Sequence, residues 1–315
     1  MKKVKKNATI ANFNITFGDE EKPMLDYFDN ILYPAMLSEK IRKQEDVEYL
    51  LKYVSIMKDS DEEYILVGNV IKKTILEIKS DLDVDGELIE KDEKYSTAPY
   101  STFAINLKNH RMIFVQNQKS SPNLANFKSL VAFLIKDYIK EKNKEMDVED
   151  KLPYAMINIV GIPSAKSIDG LLSNVEKINS MTLRFYPLNG DIDYSGTIGI
   201  LSKDMRNEVG SKNGEVVFKS PKSISGVKNV LEQASGTIAP ILKVVTRDKS
   251  RVRIKDYEMS ERYELEFQEE NDLPSERKEV VEKMKGIPSL QYTNDEHEKI
   301  YNKNKSKIIP FVGKR

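Results

Sequence analysis

The chain has 315 residues, enough for two domains of ordinary size, and 39% of them are apolar, enough to fill real cores. Cysteine is absent, which excludes disulfides, thiolate zinc sites and a cysteine nucleophile and fits a reducing, cytoplasmic compartment. Lys and Arg number 50 and Asp and Glu 50, a formal net charge of zero, so any pull on a polyanion must come from uneven distribution.

In chain order, residues 8–15 alternate as a strand does. Leu25, Phe28, Ile31 and Leu32 have helical spacing within residues 25–37, and a second helix is expected over 38–56. Residues 64–68 and 74–78 read as two strands about a turn at 71–73, and the acidic stretch 80–97 reads as a loop. Residues 101–118 read as a hairpin, with Phe103, Ile105 and Leu107 alternating along the first strand, a polar turn at 108–111, and Met112, Phe114 and Gln116 alternating along the returning strand. A long amphipathic helix follows Ser121-Pro122-Asn123. Its face carries Leu124, Phe127, Leu130, Val131, Leu134, Ile135 and Tyr138. It decays into charged residues 140–150, and residues 146–153 are expected to link two domains.

The second half contains an internal repeat. A strand at 154–160 precedes Lys166-Ser167-Ile168-Asp169-Gly170, which opens a helix, and a strand follows at 181–186. Fifty-six residues on, Lys222-Ser223-Ile224-Ser225-Gly226 opens another helix between strands at 215–218 and 241–245. Two such β-α-β units predict a ferredoxin-like sheet with both helices on one face. A hairpin turn at 246–250, a strand at 251–255 and a strand at 263–267 come next. Residues 268–315 are charged and sparse in apolar positions; a helix at 275–285 and a loose tail are expected. The class is therefore α+β. An N-terminal α+β domain (1–145) with an antiparallel sheet and helices is followed by a linker (146–153), a repeat domain with a basic hairpin (154–267) and a charged C-terminal helix and tail (268–315).

Little here resembles a catalytic motif. The two histidines, His110 and His297, fall in a predicted turn and in the tail, where solvated side chains are expected. No phosphate-cradling glycine-rich motif occurs. Asp81-Leu82-Asp83-Val84-Asp85-Gly86 matches the opening of a calcium loop, whose alternate carboxylates surround a hard cation. Asp81, Asp83 and Asp85 are thus candidate ligands for Ca²⁺ or Mg²⁺. The alternative is a plain acidic loop, because the segment entering it reads as strand and not helix.

Charge is segregated. Residues 44–100 hold 7 basic and 15 acidic side chains, whereas residues 201–255 hold 12 basic and 5 acidic. Within Arg251-Val252-Arg253-Ile254-Lys255 a strand would put Arg251, Arg253 and Lys255 on one face, about 7 Å apart. Arg247 and Lys249 in the turn extend the row, and Lys243 lies on the partner strand. Lys166 and Lys222 sit near helix starts, which also favour anions. Such a row neutralises phosphates without reading bases. The alternative is an ordinary outer face paired with Glu264 and Glu266.

The order of these features resembles the RexA-like phage exclusion proteins and their bacterial and phage relatives. The likeness is carried by Tyr64-Ile65-Leu66-Val67 with Thr74-Ile75-Leu76-Glu77, and by Pro99-Tyr100-Ser101-Thr102-Phe103 with Arg111-Met112-Ile113-Phe114-Val115. It continues through the helix at 124–135, Met156-Ile157-Asn158-Ile159-Val160, and the helix with Leu171, Leu172 and Val175. It ends with Thr182-Leu183-Arg184-Phe185-Tyr186-Pro187-Leu188-Asn189 and spans roughly residues 60–267. The acidic stretch 80–97 and the extended tail depart from it. The resemblance implies a two-domain homodimer that binds double-stranded DNA with little sequence preference. It also implies a role in phage exclusion or anti-phage defence, with a membrane effector protein encoded nearby. Two other expectations stand beside it: a metal-dependent nuclease or toxin using Asp81, Asp83 and Asp85, and a protein-sensing scaffold that reads a phage component through residues 80–97.

Overall fold

A computed structural model describes residues 2–59, 61–190, 204–234, 236–270 and 272–314. Two sheets organise them, and the α+β class expected from the sequence is the one adopted. In the large sheet the strands run β14-β1-β8-β7-β5-β4-β3, with β2 and β9 also on β1 and β6 on β5. Strand β1 (Lys3–Phe17) is its spine. Beyond β2 (Lys22–Pro23) lies helix α1 (Tyr33–Met36), then β3 (Arg42–Gln44) and β4 (Val47–Lys58).

The helix expected over 38–56 is therefore strand. The reason is visible in burial: Tyr49, Leu51, Val54 and Ile56 face the core with near-two-residue spacing. A bulge at Tyr53, whose φ is 56°, shifts the register between Lys52 and Ser55 and blurs that alternation in the sequence.

Strand β5 (Tyr64–Leu82) runs straight through the turn expected at 71–73, and the acidic stretch is strand too apart from its turn at 83–87. The first half of β5 lies between β4 and β7; the second half leaves the sheet as a two-stranded ribbon with β6 (Leu88–Thr97). The hairpin β7 (Tyr100–Asn106) and β8 (Arg111–Gln116) falls where it was predicted. Helix α2 (Leu124–Lys142) is capped reciprocally by Asn123 and Asn126 and buries Phe127 against Phe13, Phe103 and Phe114.

Residues 146–153 return the chain to the same sheet. Asn143 brackets Leu152 through both its backbone groups, and β9 (Ala155–Gly161) pairs with β1. This changes the expected repeat. Helix α3 (Ala165–Leu172) leads to β10 (Val175–Phe185). After the short α4 (Met205–Glu208) come β11 (Gly214–Lys219), α5 (Ile224–Gln233), β12 (Ala239–Thr246) and β13 (Arg251–Lys255). The second sheet is antiparallel with the order β11-β10-β12-β13. Because β9 joins the first sheet, the ferredoxin-like order is not formed. Both helices nevertheless share one face, where Ile168, Leu172, Val227 and Leu231 pack on Met181, Leu183, Leu242, Val244 and Ile254. The two Lys-Ser-Ile motifs are not equivalent: α3 is capped by Ser164, three residues before Ser167, whereas α5 is capped by Ser223 itself.

Strand β14 (Arg262–Gln268) returns to β1, and the expected loose tail is ordered. Helix α6 (Leu273–Lys285) lays Val280, Val281 and Met284 on one face of the large sheet. After α7 (Pro288–Gln291), α8 (Asp295–Ile308) adds Ile300, Tyr301 and Ile308 to the core on the other face, shared with α2. Few apolar residues suffice because they recur at helical spacing. No helix among the described residues is long and apolar enough to cross a membrane.

The two sheets are joined by buried asparagines. Asn14 Nδ2 donates to the Pro187 carbonyl at 2.7 Å, its Oδ1 accepts from Asn189 N at 2.7 Å, and Asn12 Nδ2 donates to the Gly236 carbonyl. Close approach also matters at Gly161. A side chain there would strike Ser260, and its N–H donates to Asp256 Oδ2 at 3.3 Å. These contacts fix the second sheet against β1 and β9.

Candidate nucleic-acid interface

The β12–β13 hairpin turns the alternation of its sequence into two faces. Leu242, Val244 and Ile254 are buried toward α3 and α5. Lys243, Arg251, Arg253 and Lys255 are exposed on the opposite, helix-free face. Lys243 lies directly across from Arg253, and cross-strand neighbours stand about 5 Å apart at Cβ. Ser180 of β10 pairs with both Lys243 and Lys219, which carries the positive row across the sheet to β11.

Among the described residues, no carboxylate lies within salt-bridge distance of Lys243, Arg251, Arg253 or Lys255. Glu264 and Glu266, which would have neutralised the row, bind Lys5 and Lys3 of β1 at 3.2 and 2.9 Å. Lys255 Nζ lies 5.9 Å from the centroid of the Tyr257 ring. Of the turn cations, Arg247 is exposed, whereas Lys249 is held by Glu176 at 2.6 Å. Lys166 and Lys222 are exposed but belong to the helix side of the sheet, so the structure does not bring them to the row.

At its Lys255 end the row descends into a cleft of about 640 Å³ between the second sheet and α2 with β9. Lys128, Arg184, Arg253, Lys255 and Asp256 line it. Arg184 is tied to Glu215 at 3.2 Å. Burial pushes the Lys128 ammonium below its usual range, the nearby Asp256 opposes that shift, and Arg184 adds to it. Burial likewise pushes the Asp256 carboxyl up, against the pull of Lys128 and of the Gly161 N–H. Lys219, Arg184 and Lys128 were not singled out from the sequence. Strand alternation marks Lys219 and Arg184 as outward-facing, but their nearness to the row comes from register, and that of Lys128 from packing.

The acidic candidates lie at the tip of the β5–β6 ribbon. Asp83 Oδ1 accepts the N–H groups of Asp85 and Glu87 at 3.0 and 2.9 Å, and Asp81 pairs with Lys91 at 2.8 Å. Gly86, at φ 83°, closes the turn. Among the described residues, no group of three acidic or histidine side chains is arranged to hold a metal. The histidines differ from expectation. His110 and His297 are both fully buried, their rings edge to face at 5.4 Å, and Asn189 Nδ2 lies 3.2 Å from His110 Nδ1. Residues 187–190 and helix α8 cover the turn that the sequence left open.

Comparison with protein-family models gives no match for the chain, and none of the curated proteins matches it.

Proposed function

We propose that the chain binds nucleic acid, duplex DNA foremost, through the phosphates and without sequence preference, on the helix-free face of the second sheet. One observation carries this reading: Lys243, Arg251, Arg253 and Lys255 form an exposed group on neighbouring strands, and no carboxylate among the described residues neutralises it. Exposed cations in a row release counterions when they meet phosphates, and that gain does not depend on base identity. The RexA-like resemblance adds a setting to the proposal: a homodimer acting in phage exclusion together with a membrane effector. Fluorescence anisotropy with two duplexes of unrelated sequence tests the binding. Affinities within about threefold of each other are expected; a strong preference for one duplex, or no binding to either at low salt, refutes the reading.

Asp256 makes the same surface pH-sensitive. Its carboxyl is held above the ordinary range, so as pH falls from neutrality it is neutralised before exposed carboxylates are. Lys128, Arg184, Lys255 and Glu215 surround it in the cleft. Losing its negative charge there raises the local positive potential, so polyanion affinity is expected to rise as pH falls. Asp256→Asn should flatten that part of the profile in an anisotropy series across pH.

The ribbon favours a second reading, recognition of a protein partner. Leu76, Leu82, Leu88 and Tyr95 are each more than half exposed and share one face of it. The other face is laced by pairs between Lys79 or Lys94 and Glu77, and between Lys91 and Asp81. Leu82→Ser with Leu88→Ser should abolish capture of a nuclease-resistant partner from infected cells while leaving duplex binding intact. Unchanged capture would remove this reading.

A further inference from the structure

The cleft holds an ammonium group short of partners. Lys128 is desolvated on the flank of α2, and among the described residues it makes no salt bridge. Arg253 and Lys255 enter from β13, also without salt bridges, and Arg184 stands on the next strand but one. Against these four cations the cleft sets two carboxylates, Asp256 and Glu215, and Glu215 is already spent on Arg184. The balance calls for an anion that carries more than one charge and accepts several hydrogen bonds. A phosphate monoester meets that need. The space, about 640 Å³, exceeds what phosphate alone would fill and lies within the usual range for small-molecule sites. Ile241, Ala239 and Tyr186 give it an apolar wall, and the amides of Asn158 and Asn213 can pair with the edge of a base.

We propose that this cleft binds one nucleotide by its terminal phosphate, with Lys128, Arg253 and Lys255 around the phosphate and the base against Ile241. The row from Arg251 to Lys255 leads into the cleft, so the nucleotide is either the phosphorylated end of a strand lying on the row or a free mononucleotide. Only the strand-end form rests on the nucleic-acid reading; the cleft itself does not.

Calorimetric titration of the full chain with adenosine monophosphate and with adenosine tests the cleft directly. Saturable binding of the monophosphate below about 1 mM is expected, with adenosine at least about tenfold weaker. Lys128→Met and Lys255→Gln should each weaken the monophosphate by about tenfold or more, and Lys166→Ala should not. Lys255 is exposed, so Lys255→Gln decides the question if Lys128→Met proves unstable in a thermal melt. No saturable binding, equal binding of adenosine, or full affinity in the folded variants overturns the proposal. A second arm compares duplexes whose ends carry a 5′-phosphate or a 5′-hydroxyl. A gain from the phosphate that Lys255→Gln removes assigns the strand end. Monophosphate binding with no such gain assigns the free nucleotide. Should neither duplex bind while the monophosphate does, the nucleic-acid reading falls and the cleft stands.

Discussion

Glu276→Ala is expected to destabilise the protein by about 3–5 kcal/mol, because it leaves a lysine charge stranded in the interior. Glu276 is 3% exposed and its partner Lys6 is 8% exposed. Lys6 Nζ donates to Glu276 at 2.8 Å, and Tyr100 OH and Thr102 Oγ1 donate to the same carboxylate at 2.7 and 2.8 Å. Asn69 Nδ2 in turn donates to Thr102 Oγ1, and Arg277 to Asn69 Oδ1, both at 2.9 Å. One carboxylate thus joins β1, β7 and α6, and burial together with the Glu276 bond holds the Tyr100 hydroxyl far above its ordinary titration range. Removing the carboxylate strands three donors at once. Replacing both charges, Lys6→Met with Glu276→Met, should recover much of the loss, since an apolar pair of similar size carries no desolvation cost. Urea unfolding of the three proteins measures this. A loss below about 1 kcal/mol in Glu276→Ala would mean that water reaches the pair.

The second large effect falls on binding. Arg251→Ala, Arg253→Ala and Lys255→Ala together are expected to lower duplex affinity by roughly 100-fold at moderate salt, at about 1 kcal/mol for each lost phosphate contact. The exposed outer-face side chains contribute little to the core, so the melting temperature should move by no more than a few degrees. Lys166→Ala with Lys222→Ala provides the contrast. Those lysines sit with α3 and α5 on the other side of the sheet, and their removal should change affinity by less than about twofold. Equal losses from the two sets would show that net charge, and not this face, governs binding.

The basic row was legible in the sequence because strand alternation is local: five residues suffice to place three cations on one side. The same holds for α2, whose seven apolar positions declare a helix without help from elsewhere. Segments whose burial depends on distant partners were not legible. The helix expected at 275–285 is present, but the burial of its Val280, Val281 and Met284 depends on β1 and β7 lying beneath them, and His110 looks like a turn residue until α8 covers it. The bulge at Tyr53 broke a strand pattern into something with the look of a helix. The acidic ribbon was misread because a strand exposed on both sides carries no inside-outside alternation. For the site, the row came from alternation, its extension to Lys219 from register, and its end at Lys128 from docking of two sheets that the repeat had suggested were one domain apart.

The salt dependence of duplex binding bears most directly on the central claim. Plotting log K against log salt concentration should give a steep negative slope for the unaltered chain, and the triple alanine variant should flatten it by about 3. A shallow slope in the unaltered chain, or an unchanged slope in the variant, would contradict phosphate binding by β13.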